Sequence, residues 1–305
     1  MIFHKSKKEI GINLVGGLGN QLFGYIACSY LEEVRGSKAY FDLGMVPLGF
    51  TDHGNLITDF SLGGHFIDSN PGEKSFQNFY IKFLQKIAKF NSISQKIVYI
   101  LSRHYFSNTL GFDKNLEFLK APVKIHGYFQ TYKYVTKTIE KRLEIEIYPK
   151  KISPWLQEKL LIQELIKPIM LHVRQGDYRR LQDTFGILSS DYYKEALMAT
   201  RKVLPNRELW IFTDDPNGAQ EILKGLELGK HEYIFPIASV SDAEVFYLMT
   251  KCDAHIIANS TFSFLSALIS SNSCYVTYPD TWFKNVIAPN ELFPPDWIPI
   301  KSTWV

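Results

Sequence analysis

The second half of the chain repeats one pattern, a short apolar run that ends in polar residues and is followed by an amphipathic segment. The apolar runs predict buried strands, and the amphipathic segments predict helices. Successive strand–helix units are typical of a doubly wound parallel sheet, in which ligands bind at the carboxyl ends of the strands. The predicted strands are 169–173, 209–212, 233–235, 254–257 and 275–277. The predicted helices begin near 190 and 219, span 243–251 and end at 269.

The first half opens with a β-α-β pattern. A strand at 10–15 leads into the turn Gly16-Gly17-Leu18-Gly19-Asn20, a helix from about 21 to 35 and a strand at 39–43. A loop-rich stretch at 50–75, a strand at 123–126 and a helical stretch at 131–146 follow.

The length of 305 residues suits two domains of about 150 residues each. We predict an α/β fold with domains at 1–150 and 151–285, and a tail at 286–305 that wraps over the surface. Pro149 and Pro154 mark the linker between the domains.

Composition excludes several classes of protein. With 46% hydrophobic and 21% charged residues the chain is globular rather than disordered, and a net charge of +3 is too mild for a nucleic-acid binder. The three cysteines lack metal-ligand spacing, and we expect buried thiols in a reducing cytoplasm. The start, MIFHKSKKEI, lacks the apolar stretch of a signal peptide, so we expect a cytoplasmic protein.

The segment from Lys74 to Phe112 contains no acidic residue but six positive charges, interleaved with large apolar side chains. One interpretation is a helical basic insertion packed on the first domain. The alternative is that residues 74–103 form a surface that meets anionic lipid or a lipid-linked acceptor, at the inner face of the cytoplasmic membrane.

Two predicted strand ends carry groups that suit an anion. Arg174 follows the strand at 169–173 and can offer its planar fork to a phosphate, with Asp177 either orienting it or acting as a base. A structural ion pair between Arg174 and Asp177 is the alternative. Asn259-Ser260-Thr261-Phe262 stands where a helix begins, which is an anion site or only a helix cap.

Three further features leave alternatives open. Asp214 and Asp215 are adjacent, without the intervening residue of a DxD metal motif, so capping or a ribose contact is favoured over a metal. Glu244 could accept the N1–H and N2–H₂ groups of guanine or merely favour the helix dipole. Gly17 and Asn20 lie in a glycine loop that is either a ligand loop or a tight turn.

Five segments together resemble bacterial α-1,2-fucosyltransferases of glycosyltransferase family 11, and they occur in the order seen there. The match runs from about residue 10 to 285. The segments are GGLGNQLFGY at 16–25, HGYFQTYKY at 126–134, HVRQGDY at 172–178, IFTDDP at 211–216 and DAEVFYLMTKCDAHIIANSTFSF at 242–264.

The resemblance implies a GT-B-type fold of two Rossmann-like domains facing across a cleft. It also implies an inverting galactoside 2-α-L-fucosyltransferase that needs no metal or other cofactor. Such an enzyme moves L-fucose from GDP-β-L-fucose to O2 of a galactose in a glycan, such as an O-antigen or another surface polysaccharide.

The resemblance also assigns roles by position. Arg174 would hold the donor diphosphate, His172 would lie against the nucleoside, and Glu244 would bind guanine. The remaining donor-side positions are Gly17, Asn20, Asn259, Ser260, Thr261 and Phe262, with Asp177 as candidate base. Tyr128 and Gln130 are the candidates on the acceptor side.

The sequence departs from the family pattern at three places. Gln175 replaces the second arginine of HxRRGDY, Ser260-Thr261 stands in place of the serine pair before the aromatic residue, and Phe264-Leu265 replaces the usual Trp-Trp. The first departure lowers the local positive charge, and the last changes the wall expected near the donor. A transferase for another GDP-6-deoxy sugar such as colitose, or a non-catalytic GDP-sugar-binding protein, therefore remains an alternative.

Overall fold

The computed structural model describes residues 9–36, 38–43, 56–67, 74–235 and 239–305, with backbone only for 74–78. The chain forms two compact units. Unit 1 contains residues 1–58, 62–146 and 289–292, and unit 2 contains 59–61, 147–288 and 293–305. The MIFHKSKKEI start up to residue 8, and residues 50–55 and 68–73 of the predicted loop region, lie outside the described residues.

Unit 1 contains a parallel sheet that, in the described part of the chain, has five strands in the order β3-β2-β1-β5-β4. The strands are β1 Ile10–Asn13, β2 Ala39–Asp42, β3 His65–Ile67, β4 His104–Phe106 and β5 Val123–His126. All four residues of β1 are buried, as expected for a strand covered on both faces. The sequence did not predict β3 and β4, because each has three residues and is followed directly by a polar residue, so that no longer apolar run marks it.

Four helices are described in unit 1: α1 Leu18–Arg35, α2 Lys74–Ala88, α3 Ser92–Ser102 and α4 Lys137–Glu146. Helix α1 begins three residues before its predicted start, with Gly17 as its N-cap, and ends at Gly36 in the left-handed conformation. The single helix predicted at 131–146 is two elements, a 3-10 turn at Tyr132–Tyr134 and α4.

Unit 2 contains a second parallel sheet, whose described strands follow the order β11-β10-β9-β6-β7-β8. They are β6 Ile169–Val173, β7 Leu209–Thr213, β8 His231–Ile234, β9 Ala254–Ile256, β10 Tyr275–Pro279 and β11 Ile298–Ile300. The predicted surface tail is wrong in one respect: β11 pairs with β10 as the edge strand of this sheet.

The described helices of unit 2 are α5 Pro154–Ile166, α6 Ser190–Val203, α7 Pro216–Ile222, α8 Asp242–Thr250 and α9 Thr261–Ile269. The sequence did not predict α5, because Pro149 and Pro154 indicate a linker there. In the structure Pro154 occupies the first turn and Ser153 caps the helix, a position that tolerates proline because the missing N–H has no partner there.

The strand order of unit 2 places a topological switch beside β6. The chain runs from β6 outward to β7 and β8, then crosses to the opposite side of β6 to form β9. In an open α/β sheet, ligands bind outside the carboxyl ends of the strands at such a point. The residues that follow β6 and β9 therefore define the candidate site.

The burial of the cysteines tests another expectation from the sequence. Cys28 and Cys252 are buried as expected, but Cys274 is exposed. None of the helices built from the described residues is both long and apolar enough to cross a membrane.

Phe264 and Leu265 are both fully buried in unit 2. Phe264 packs against Trp282 and Trp297, with ring centroids 6.0 and 5.0 Å away. The expectation that this pair alters a wall near the donor is therefore wrong, because both side chains belong to the core.

Replacing Phe264 by alanine should lower the free energy of unfolding by about 3–5 kcal/mol, since it removes a buried aromatic ring from a packed cluster. Urea denaturation followed by fluorescence would measure the loss. The matched control is Phe118→Ala, at a side chain that is 70% exposed, which should change stability by less than about 0.5 kcal/mol. Equal effects at the two positions would contradict this assignment of the core.

Candidate functional site

Arg174 follows the last residue of β6 and is held by two carboxylates. Its Nη2 lies 2.6 Å from Asp177 Oδ1, and its Nη1 lies 2.9 Å from Asp214 Oδ2. Burial lowers the pKa of the guanidinium, but Asp214 and Asp177 outweigh that effect and raise the pKa above its usual value. The Arg174 side chain is 24% exposed. These pairs use one N–H group on each terminal nitrogen, and Nε is buried. Among the described contacts, the second N–H group of Nη1 and of Nη2 remains for a ligand.

Asp214 fixes this loop as well as the arginine. Its Oδ1 accepts the backbone N–H of Gln175 at 3.0 Å, while its Oδ2 faces the guanidinium. A Cβ at Gly176 would lie 2.3 Å from Asp214 Oδ2, so only glycine allows so close an approach. Sequence reasoning missed this contact and gave Asp214 a capping or ribose role. The pairing of Val173 with Thr213, in register, places the two following residues side by side.

Asp215, the adjacent acid, has a different role. It caps α7, accepting the N–H of Gly218 at 3.0 Å, and pairs with Arg179 at 2.6 Å. The capping interpretation is confirmed for Asp215. No cluster of metal-ligating side chains is found among the described residues.

Gln175 is buried and directed at α7. Its amide donates to the Gly218 carbonyl at 3.1 Å, and its Oε1 accepts from Arg179 at 2.7 Å. The side chain at this position thus joins the β6 loop to the start of α7. The Arg179 side chain, which is 55% exposed, lies beside Gln175. A positive charge therefore remains next to Gln175, although the second arginine of the motif is absent.

His172, within β6, is a buried and uncharged group. Burial lowers its pKa to about 4, with Asp214 opposing and Arg174 reinforcing that shift. Its Nδ1 has no hydrogen-bond partner among the described residues. Its ring lies 6.3 Å from that of Phe262 at the start of α9. His172 therefore joins the β6 end to the α9 end of the site as a neutral ring.

Tyr178 links the ends of β6 and β9. Its ring lies 5.6 Å from the Arg174 guanidinium carbon, and its hydroxyl donates to the Asn259 carbonyl at 2.8 Å. The Asn259 amide in turn donates to the Phe185 and Gly186 carbonyls. Asn259 thus organises the surrounding loops.

The sequence Ser260-Thr261-Phe262 begins α9 as predicted. Ser260 is the N-cap, and its hydroxyl accepts the N–H of Phe262 at 3.4 Å. The first N–H groups of a helix have no partner within it and carry the positive end of the helix dipole. Tyr178 connects the loop of Arg174 to Asn259, the residue before this helix cap. A helix start held at the same sheet edge as a guanidinium favours a bound anion.

Glu244 is buried at the start of α8, and hydrogen bonds occupy both of its carboxylate oxygens. One accepts the N–H of Ser153 at 2.7 Å, and the other accepts the N–H and hydroxyl of Ser241 at 3.0 and 3.3 Å. Burial raises its pKa, but these bonds outweigh burial and lower it overall. With 2% exposure, the carboxylate caps α8 and joins it to α5. The predicted guanine contact would require this buried carboxylate to become accessible.

The candidate residues of unit 1 lie at the carboxyl ends of β1 and β5. The Gln130 amide donates to Asn20 Oδ1 at 2.9 Å, so the structure brings these two predicted residues together. Gly17 is the N-cap of α1, and its carbonyl accepts the N–H of Gln21. Tyr128 is half-buried, and burial raises the pKa of its hydroxyl.

The sequence matches the family model for glycosyl transferase family 11 over residues 74–301, well over half of the chain. The chain belongs to glycosyltransferase family 11.

Two relatives show how this family 11 glycosyltransferase compares with known proteins. It is 26% identical to an alpha-1,2-colitosyltransferase from Escherichia coli over 277 residues, which cover 89% of this chain and 91% of that protein. It is 29% identical to galactoside alpha-(1,2)-fucosyltransferase 1 from Leontocebus fuscicollis over 141 residues, or 43% and 38% of the two chains.

Among solved structures, a GDP complex of a FUT1 mutant from Arabidopsis thaliana matches with a TM-score of 0.52 at 12% sequence identity. The match covers 93% of this chain and 73% of that one. This likeness supports the GT-B type of fold, with two parallel-sheet α/β units in the chain. The predicted fold class is therefore confirmed.

Replacing Asp214 by asparagine should lower kcat by about tenfold or more, because the arginine loses one of the two carboxylates that fix its fork. Asp215→Asn is the matched control, since asparagine also caps helices and this acid does not touch Arg174. Transfer kinetics and thermal unfolding of both variants would be compared. The positioning role of Asp214 fails if the two variants keep equal activity.

Replacing Glu244 by glutamine should destabilise the protein by about 1–3 kcal/mol at neutral pH, because the N–H groups of Ser153 and Ser241 lose a charged acceptor. The folded-state pKa is lowered, so this contribution is present above the unfolded value of about 4.3 and disappears as pH falls through the folded value. Urea titrations of both proteins across this acid range would show the difference shrinking. A variant as stable as the wild type that binds GDP poorly would instead favour the guanine contact.

Proposed function

We propose that this glycosyltransferase transfers L-fucose from GDP-β-L-fucose to O2 of a galactose in a glycan, with inversion and without a metal. The observation that carries the proposal is Arg174, fixed between Asp177 and Asp214 in a loop that Tyr178 connects to Asn259, just before the α9 cap. A guanidinium with free N–H groups next to a helix N-terminus suits a diphosphate. The sequence segments shared with α-1,2-fucosyltransferases support the sugar and the linkage.

The chemistry follows from charge. The acceptor O2 forms a bond to C1 of fucose as the bond from C1 to the β-phosphate oxygen breaks, and the pair of electrons leaves with GDP. Negative charge develops on the β-phosphate, where Arg174 and the α9 N–H groups would stabilise it without rearranging. This arrangement would take the place of a divalent cation.

The proton of the acceptor hydroxyl leaves late, when C1 has become oxocarbenium-like, so a weak base is sufficient. Asp177 was a candidate for this base. Its Oδ1 accepts a hydrogen bond from Arg174 at 2.6 Å, which favours the alternative role of orienting the guanidinium. We therefore assign Asp177 to positioning in this proposal.

On the acceptor side we propose Tyr128 and Gln130 of unit 1. The Gln130 Oε1 is buried and has no hydrogen-bond partner among the described residues, while its amide is held by Asn20. An oriented amide oxygen and a tyrosine hydroxyl suit the hydroxyl groups of a sugar.

Colitose is a second candidate donor sugar, and the Escherichia coli relative favours it, because that protein is an alpha-1,2-colitosyltransferase that aligns over 89% of this chain. Colitose lacks the C3 hydroxyl of fucose. A site that hydrogen-bonds this hydroxyl would reject colitose strongly, whereas an apolar site would accept both sugars.

The non-catalytic alternative rested on Gln175. Since that side chain ties the loop to α7 and leaves Arg174 and Asp177 in place, its substitution gives no reason to expect loss of transfer.

The test is release of GDP from GDP-fucose and from GDP-colitose in the presence of a terminal β-galactoside, with and without EDTA. We expect turnover with at least one donor, unaffected by EDTA, and NMR of the product should show an α-1,2 linkage. Absence of turnover with every donor and galactoside would refute the proposal. Loss of turnover in EDTA would refute its metal-independent part.

Arg174→Lys keeps the charge but loses the fork, so kcat/KM should fall about 10²–10³-fold, as when one transition-state donor is removed. Arg207→Lys is the matched control. Arg207 also forms an ion pair, with Asp253. Arg207 lies just before β7 and Asp253 just before β9, at the opposite, amino edge of the same sheet. Near-normal turnover of Arg174→Lys would show that the diphosphate assignment is wrong.

A further inference from the structure

The helices α2 and α3 of unit 1 bury one side each and expose a second apolar side. Ile81, Leu84 and Ala88 of α2 form a small core with Val98 of α3 and Phe106 of β4. Since both helices turn their buried sides toward β4, their opposite sides point away from the sheet. Apolar side chains on those opposite sides are not used in the core.

The outward side carries eight large apolar residues within 23 positions of the sequence, all of them exposed. Phe90 is 83% exposed and Leu101 is 80% exposed. We call this surface the α2–α3 face. Its apolar members are Phe79, Phe83, Ile87, Phe90, Ile93, Ile97, Ile100 and Leu101.

The spacing of these residues shows that the exposure is organised. Phe79, Phe83 and Ile87 are four residues apart on α2, and Ile93, Ile97 and Leu101 are four apart on α3. Residues at this spacing lie on one face of a helix. Each helix therefore presents a continuous apolar stripe opposite its buried side, which is the pattern of a helix that lies in an interface.

Exposed lysines occur in the same two-helix segment as the apolar stripes. Lys82, Lys86, Lys89 and Lys96 are all exposed, and no acidic residue occurs between 74 and 112. Among the described residues, the lysines that form ion pairs are others, at 124, 133, 159 and 230. The charges beside the α2–α3 face are therefore not neutralised by a carboxylate of the described chain.

We propose that the α2–α3 face binds the surface of an anionic lipid bilayer. Aromatic and aliphatic side chains would enter the boundary between headgroups and acyl chains, while the flexible lysine stems carry their ammonium groups to the lipid phosphates. A second copy of the chain fits this face poorly, because the same uncompensated lysines would meet across the interface. An anionic lipid surface complements both the charge and the apolar area.

Vesicle co-sedimentation tests the proposal without any donor or acceptor, so its outcome is independent of the proposed transfer reaction. We expect binding to vesicles of phosphatidylcholine with phosphatidylglycerol at low salt, and weak binding to phosphatidylcholine alone or at high salt. Absence of binding to the anionic vesicles would overturn the proposal.

Two variants with matched controls identify the surface. Lys82→Gln/Lys86→Gln/Lys89→Gln should weaken binding to anionic vesicles by roughly 100-fold, since each lysine near such a surface contributes about a factor of five. Lys194→Gln/Lys202→Gln/Lys224→Gln removes the same charge from exposed positions of unit 2 and should bind much more tightly than the first variant. Equal losses in the two variants would mean that only net charge matters.

Phe83→Ser/Phe90→Ser/Ile97→Ser should reduce binding by at least about 100-fold, because three apolar anchors are lost. Its control is Phe118→Ser/Leu161→Ser/Leu165→Ser, at side chains exposed by 67% or more elsewhere, which should bind like the wild type. Circular dichroism and GDP release with a soluble galactoside should be unchanged in all four variants. If light scattering shows a dimer that the Phe83 variant dissociates, with no vesicle binding, a second copy is the occupant and the proposal is wrong.

Discussion

The pairing of Asp214 with the loop that follows β6 is the interaction on which the candidate site depends. Parallel neighbours end at one edge of a sheet, and the register of Val173 with Thr213 brings Arg174 next to Asp214. One carboxylate then holds the guanidinium and the backbone of the same loop, and Gly176 leaves room for it. Tyr178 extends this fixed loop across to Asn259, so the start of α9 is positioned by the same contact.

The ion pairs around Arg174 fix its side chain in place but lower the net positive charge of the loop. Arg174 faces two acids, and Arg179 faces Asp215, so both of these guanidinium groups are already paired. A phosphate attracted only by net charge would find little here. An arginine that does not need to reorganise when a diphosphate arrives still offers fixed N–H groups, and fixed dipoles are the larger source of transition-state stabilisation. The neutral His172 beside it adds no competing charge.

The sequence predicted the strands β6 to β10 of unit 2 to within about two residues, because buried parallel strands appear as continuous apolar runs. Arg174 and the α9 start were found because both follow such runs. The partner of Arg174 was not predicted, since the contact with Asp214 depends on which strands are neighbours and in what register. Glu244 shows the same limit: its place in the first turn of α8 was visible, but its bond to the Ser153 N–H was not. The three-residue strands β3, β4 and β11 were missed because a polar residue follows each of them directly, whereas the apolar run of the equally short β9 continues into Ile257 and Ala258.

The structure explains part of the apolar pattern in residues 74–112. Its helices lead into β4 and share a core with that strand, and the family match begins at residue 74, so α2 and α3 belong to the matched region rather than to an addition outside it. Packing on β4 accounts for one side of each helix and leaves the apolar outward side unexplained. The two interpretations from sequence, a packed helical segment and a lipid-facing surface, are therefore compatible: the buried side satisfies the first, and the α2–α3 face carries the second. Because this face lies in unit 1 and Arg174 in unit 2, membrane contact and donor chemistry use no common residue, and either proposal can fail without affecting the other.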